Sequence, residues 1–196
     1  GRRVERIICN GHRATGVQVG GRGGSALIEA SREVVLSAGA FGSPQLLLLS
    51  GIGGREELAR HRIELRHELP GVGQGLVDHV DLALLYRSDD PHLVGLTPRS
   101  ALRAIPGFFE WWLRGTGMLT TNFAEAGAFL RTRPDLDRPD VQLHFVNGLA
   151  DSHGRRVHFH QGFSLHIGVL RPASRGSVGL RSADPRDPPR IDPAFL

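Results

Sequence analysis

Hydrophobic and polar positions alternate with a period of two at the start of the chain and lengthen to helical spacing further on. Val4 to Ile8 alternates and predicts a strand, Asn10-Gly11 is a turn signal, and Thr15 to Val19 predicts a second strand. Gly20-Gly21-Arg22-Gly23-Gly24 forces another turn before a third strand, Ala26 to Ala30. Glu33-Val34-Val35-Leu36-Ser37 is nearly continuous in apolar character and predicts a fourth strand, buried on both faces, running into Ala38-Gly39-Ala40. Ser43-Pro44 then reads as a helix start, with Ser as N-cap and Pro at the first helical position. Leu46 to Leu49 leave that helix no polar face, which predicts burial, and Ser50-Gly51 supplies the stop. Glu56 to His61 predicts a short second helix, Arg62 to Leu69 an edge strand, and Pro70 to Gly75 a loop.

The pattern changes near residue 80. Ser88 to Pro98 is a polar, proline-flanked loop, and Arg99 to Trp112 is an amphipathic helix that Pro106-Gly107 should kink or split. Glu125 to Leu130, Val141 to Val146, Phe163 to Leu170 and Ser177 to Leu180 follow as strands. The expected class is α/β followed by α+β: residues 1–80 form one domain and residues 81–196 a second with a mixed or antiparallel sheet.

Composition narrows the options. Of the 196 residues, 24 are basic and 20 acidic, a net charge of +4. Every basic residue is Arg, so the high pI follows from the absence of Lys, not from a strong positive field. The arginines are scattered among acids, as in Arg55-Glu56-Glu57, and form no basic stripe interleaved with aromatics, which argues against nucleic-acid binding. No run approaches the roughly 18 apolar residues of a membrane helix, and no signal peptide is legible. The lone Cys9 excludes an internal disulfide framework and fits a reducing compartment; the expected setting is cytoplasmic, with membrane association of the full-length protein as the alternative.

Candidate chemistry is sparse until one string. Gly21-Arg22-Gly23-Gly24-Ser25-Ala26 matches G-x-G-x-x-A, but too few residues follow for the helix such a phosphate loop must open, so it reads as a hairpin turn. His153, His158 and His160 lack a carboxylate at matching spacing and read as solvated side chains, not a metal site. His144 and His166 fall in strands, and Phe108 and Trp112 share a helical face that suits core packing. Gly39-Ala40-Phe41-Gly42-Ser43-Pro44-Gln45-Leu46-Leu47-Leu48-Leu49-Ser50-Gly51-Ile52-Gly53 is of another kind. It resembles the second signature of the glucose/methanol/choline oxidoreductases at every defined position. Arg13 to Val17, Leu69-Pro70-Gly71 to Asp78-His79, Gly117 to Thr120, Glu125 to Phe129, Pro139 to Gln142 and Arg171 to Pro193 extend the resemblance in order over essentially the whole chain. These blocks look most like the choline dehydrogenase-like branch. Gly75-Leu76-Val77 departs from the Asn-Leu-Gln common in the family.

The resemblance implies an FAD-dependent enzyme that passes a hydride from a primary, choline-like alcohol to flavin N5, with oxygen or a quinone as final acceptor. Aryl, aliphatic and sugar alcohols are the alternatives within the family, and a non-catalytic remnant the alternative outside it. Residues 1–80 would be the later part of a Rossmann-like FAD domain, and residues 81–196 an incomplete substrate domain. Val4, Ala38 and Gly39 would contact the adenosine end of FAD. No catalytic residue falls within the chain, because the family's amino-terminal phosphate loop and carboxy-terminal His have no counterpart in it. Alternation would put Phe123, Glu125 and Phe129 on one face of a substrate cavity, where Glu125 either receives a cationic alcohol or pairs with an arginine.

Overall fold

The computed structural model describes residues 2–21, 24–150 and 158–195. In chain order the elements are β1 (Arg3–Asn10), β2 (Arg13–Gly20), β3 (Ala26–Glu29), α1 (Gly39–Leu49), β4 (Ile52–Gly53), α2 (Arg55–Arg60), β5 (His67–Glu68), β6 (Gln74–Leu76), β7 (Asp81–Arg87), α3 (Pro98–Arg114), β8 (Ala124–Leu130), β9 (Val141–Val146), β10 (Gly162–Val169), β11 (Gly176–Gly179) and β12 (Arg190–Asp192). The chain is mixed α and β, with its sheets almost wholly antiparallel. It folds as two compact units: Gly1–Asp78 with Ala173–Leu196, and His79–Pro172. The last segment, which a linear reading groups with residues 81–172, therefore packs in the first unit.

The first unit opens with the antiparallel meander β1-β2-β3. Its first turn passes through Gly11 at φ 57°, and its alternation turns Ile7 and Val19 inward. Leu48 and Leu49 of α1, Leu58 of α2 and Leu180 form the core, flanked by Ile63, Leu65 and Val72. A three-stranded sheet, β12-β11-β6, brings the end of the chain back to this core, and the short β4 and β5 pair in parallel.

Four local expectations for this unit are corrected. Helix α1 begins at Gly39, not at Ser43-Pro44. Ser43 does serve the helix start, but from inside: its Oγ accepts the Ala38 N–H at 3.1 Å. Pro44 sits within the helix, where it can donate nothing to the ladder. Burial of α1 is also one-ended: Leu48 and Leu49 are buried, whereas Phe41 is exposed, because the leucine core lies at the carboxy end only. Glu33 to Ser37 forms no strand, and Val35 is 77% exposed. Strand propensity expresses itself through paired neighbours, and no strand among the described residues pairs with this segment. The expected strand Arg62 to Leu69 shrinks to His67–Glu68, because Arg62 adopts φ 55° and Ile63 N–H turns back to the Leu58 carbonyl at 2.9 Å.

The second unit is an antiparallel sheet in the order β7-β10-β9-β8. Tyr86, Phe163 and Phe145 form a row of rings across it, with centroids 5.0 and 5.2 Å apart. Helix α3 is capped at both ends. Thr97 Oγ1 accepts the Ser100 N–H at 3.1 Å, and Gly115, at φ 64°, returns its N–H to the Trp111 carbonyl at 2.8 Å. Of the expected kink or split at Pro106-Gly107, the split does not occur: the helix runs through both residues without a break. Its apolar stripe is not core: Phe108 is half exposed and Trp112 67% exposed, because the sheet packs its aromatic row elsewhere.

Candidate functional site

In the first unit, the segment before α1 faces β1 across a cavity of about 410 Å³. Val4, Ala38, Gly42, Leu46 and Leu49 line one part, and residues 185–189 close another. That closing segment is held by two long-range hydrogen bonds. Gln45 Nε2 donates to the Asp187 carbonyl and the Arg3 guanidinium to the Pro185 carbonyl, each at 2.8 Å. Within it, Arg186 forks onto Asp184 at 2.6 and 2.9 Å, and this hydrogen bonding holds the Asp184 carboxyl down at about 2. Strand β1 is a sheet edge, so part of its backbone turns away from β2.

Of the sequence-predicted residues, Val4 and Ala38 share this cavity. Gly39 follows Ala38 at φ 78°, a conformation that favours glycine, and a Cβ there would meet only open space. A neighbouring cavity of about 370 Å³ lies between Pro44 and Leu47 of α1 and the turn through Val72 and Gly73.

In the second unit a groove of about 520 Å³ runs between α3 and the Pro91–Pro98 loop, with Leu96, Ala104, Met118, Leu119 and Phe123 among its walls. Phe123 also borders an adjoining hollow of about 440 Å³ that reaches Asn147, His158 and His160. Phe123 stands at φ 65°, rare for an aromatic residue. Two hydrogen bonds fix it there: its N–H donates to Thr121 Oγ1 at 3.0 Å, and its carbonyl accepts the Asn147 N–H at 2.8 Å.

Phe123, Glu125 and Phe129 are not gathered by simple alternation. The register slips between Ala124 and Ala126, so Glu125 occupies a β-bulge. Its carboxylate accepts the Thr121 hydroxyl at 3.3 Å, and no arginine among the described residues forms an ion pair with it. Neither Glu125 nor Phe129 lines the groove, and Phe129 is 60% exposed. The expected arginine partner is thus replaced by a hydroxyl, because the bulge turns the side chain toward the preceding turn.

The histidines divide. His144 and His166 are register partners, and His166 Nδ1 lies 2.7 Å from Asp81 Oδ2 on the sheet. His153 lies outside the described residues, and among those described no three metal-ligating side chains converge. The expected hairpin turn at Gly21 to Ala26 falls partly on Arg22 and Gly23, which also lie outside the described residues; the flanking β2 and β3 pair antiparallel. Among the described residues, no helix is long and apolar enough to cross a membrane. Sequence reasoning missed the groove's loop wall: Leu93-Val94-Gly95-Leu96 is an apolar cluster inside a stretch read as polar, and that cluster was the available signal.

Known proteins are similar to this chain in sequence and fold. Residues 1–81 match the GMC oxidoreductase family model. The alcohol dehydrogenase [acceptor] of Pseudomonas putida is 43% identical over 85% of this chain and 30% of its own length. An oxygen-dependent choline dehydrogenase of Ectopseudomonas mendocina is 42% identical over 96% of this chain and 34% of its own. Formate oxidase of Aspergillus oryzae, studied for modification of its FAD, superimposes with a TM-score of 0.86 at 27% identity, covering 99% of this chain and 39% of that one. The chain spans about a third of the length of the curated relatives it matches. On the signature string, the family model and these relatives together, the chain belongs to the GMC oxidoreductase family.

Proposed function

We propose that this chain is part of an FAD-dependent oxidoreductase acting on the CH–OH group of a primary alcohol, with its first unit contributing to the FAD domain and its second to the substrate domain. The observation that carries the reading is the meeting of Val4 and Ala38 on one cavity, beside the glycine turn that opens the signature helix.

The residues fit the adenosine end of FAD. The cavity falls in the range of roughly 300–1,000 Å³ usual for ligand sites, and its apolar wall of Val4, Leu46 and Leu49 suits a flat aromatic base. The outer edge of β1 beside Val4, away from the Ile7 N–H that Ser50 holds, would offer backbone donors and acceptors of the kind that recognise adenine. Gly39 keeps the space at its Cα clear, so backbone can approach a bulky group. Bound FAD would supply the two-electron acceptor for the alcohol carbon. The chain's own groups would act by position: β1 and Ala38 hold the cofactor, the residue 185–189 segment covers it, and the Phe123 groove holds the alcohol.

The test is photolabelling with an azidoadenine analogue of FAD, followed by peptide mass spectrometry, in the flavoprotein that carries this sequence. Label should fall on the peptides containing Val4 and Ala38 and be displaced by FAD. Label confined to other peptides, or a flavin band that no alcohol bleaches, would refute the reading.

A further inference from the structure

The groove bordered by Phe123 has a one-sided chemistry. Among the described residues, no Asp or Glu lines it or the adjoining hollow. Its one charged lining residue is the cation Arg103, whose guanidinium is already engaged by the Pro91 carbonyl. Thr97 at its edge and Asn147 in the adjoining hollow are likewise committed to the scaffold, and the hollow's His158 and His160 do not line the groove. Thr97 Oγ1 donates to Ser100 Oγ at 3.0 Å and accepts the Ser100 N–H. Asn147 accepts from Val94 N–H at 2.9 Å and donates to the His92 carbonyl at 3.3 Å. What remains available is aliphatic and aromatic surface from Leu96, Met118, Leu119 and Phe123.

We infer that this groove takes the hydrocarbon portion of an uncharged, apolar alcohol. The identification as substrate rests on the alcohol oxidoreductase reading above; the selectivity itself rests only on the lining. A quaternary ammonium would lose hydration without finding a carboxylate and would meet the like charge of Arg103, keeping only the modest attraction of the Phe123 ring face. An alkyl chain loses nothing polar and gains contact with every methylene buried.

The deciding experiment is a binding series by saturation-transfer NMR on the protein, using 1-butanol, 1-hexanol, 1-octanol and choline. Affinity should climb about fourfold per methylene along the alcohols. Choline should bind more than about tenfold weaker than 1-hexanol, which has the same number of heavy atoms. Leu96→Asp, at an exposed position, should narrow that gap, and circular dichroism checks its fold; the unsubstituted series carries the test without the variant. Equal affinity for choline and 1-hexanol, no dependence on chain length, or binding of neither would overturn the inference. None of these measurements needs FAD, so failure of the flavoprotein reading registers separately, as absent azidoadenine labelling.

Discussion

Ser50 Oγ accepts the backbone N–H of Ile7 at 2.8 Å and donates to the Leu46 carbonyl at 2.6 Å. One buried hydroxyl thus joins the edge strand β1 to the end of the signature helix. Ser50→Ala would leave the buried Ile7 N–H without a partner and should cost about 1–3 kcal/mol. Denaturant unfolding of the two proteins side by side reads this as a lower midpoint at unchanged slope. An unchanged midpoint would mean that the two elements are held together without this bond.

Gly73 sits at φ 76°, its carbonyl accepts the Val178 N–H at 2.7 Å, and a Cβ on it would strike the Val178 carbonyl. Gly73→Ala therefore combines left-handed backbone strain with a clash against main chain that cannot swing aside. The loss should exceed about 1 kcal/mol. Gly71→Ala, where φ is not positive and the space is open, is the matched control and should be near neutral. Thermal melts of the pair separate the two cases.

Leu58 has no exposed surface and Trp112 is 67% exposed, although both are large apolar residues on helices. Leu58→Ala should destabilise the first unit by about 2–5 kcal/mol through lost burial and a residual cavity. Trp112→Gln should stay within about 0.5 kcal/mol, since most of the side chain is already in solvent. Equal losses would show that the stripe on α3 carries packing energy.

Asp184 gives a pH prediction. Its carboxyl is held at about 2, against an ordinary value of 3.8, first by the side-chain hydrogen bond from Arg186 and then by the Arg186 backbone N–H. A depressed carboxylate stabilises the fold above its unfolded value, and this contribution fades as pH falls from about 3.8 through about 2. Carboxyl NMR titration should place the Asp184 midpoint well below 3.8. Arg186→Gln should move it upward. Asp140, lowered by hydrogen bonds from Thr132, should move with Thr132→Val and not with Arg186→Gln.

The strands legible from residues alone are those whose alternation is satisfied locally. Val141 to Val146 keeps its predicted bounds, and Phe163 to Leu170 shifts by one residue. Thr97-Pro98 carries a capping signal in the sequence itself, and a helix with two good caps tolerates the one hydrogen bond missing at Pro106. Asp81 to Arg87 went unread as a strand, because its run Leu82-Ala83-Leu84-Leu85 has no clean alternation and its register comes from β10.

The sequence by itself determined the family, through a 15-residue string whose glycines, buried leucines and Ser-Pro are fixed by short-range backbone requirements. It also determined the antiparallel hairpins, where neighbours in the chain are neighbours in the sheet. Only the tertiary structure decided which residues share a cavity. Val4 meets Ala38 and the segment 185–189 because the last stretch of chain folds back into the first unit, which no local pattern encodes. It likewise decided that Phe123 faces the groove while Glu125 and Phe129 do not, because a single bulge reverses the alternation that sequence reasoning takes as constant.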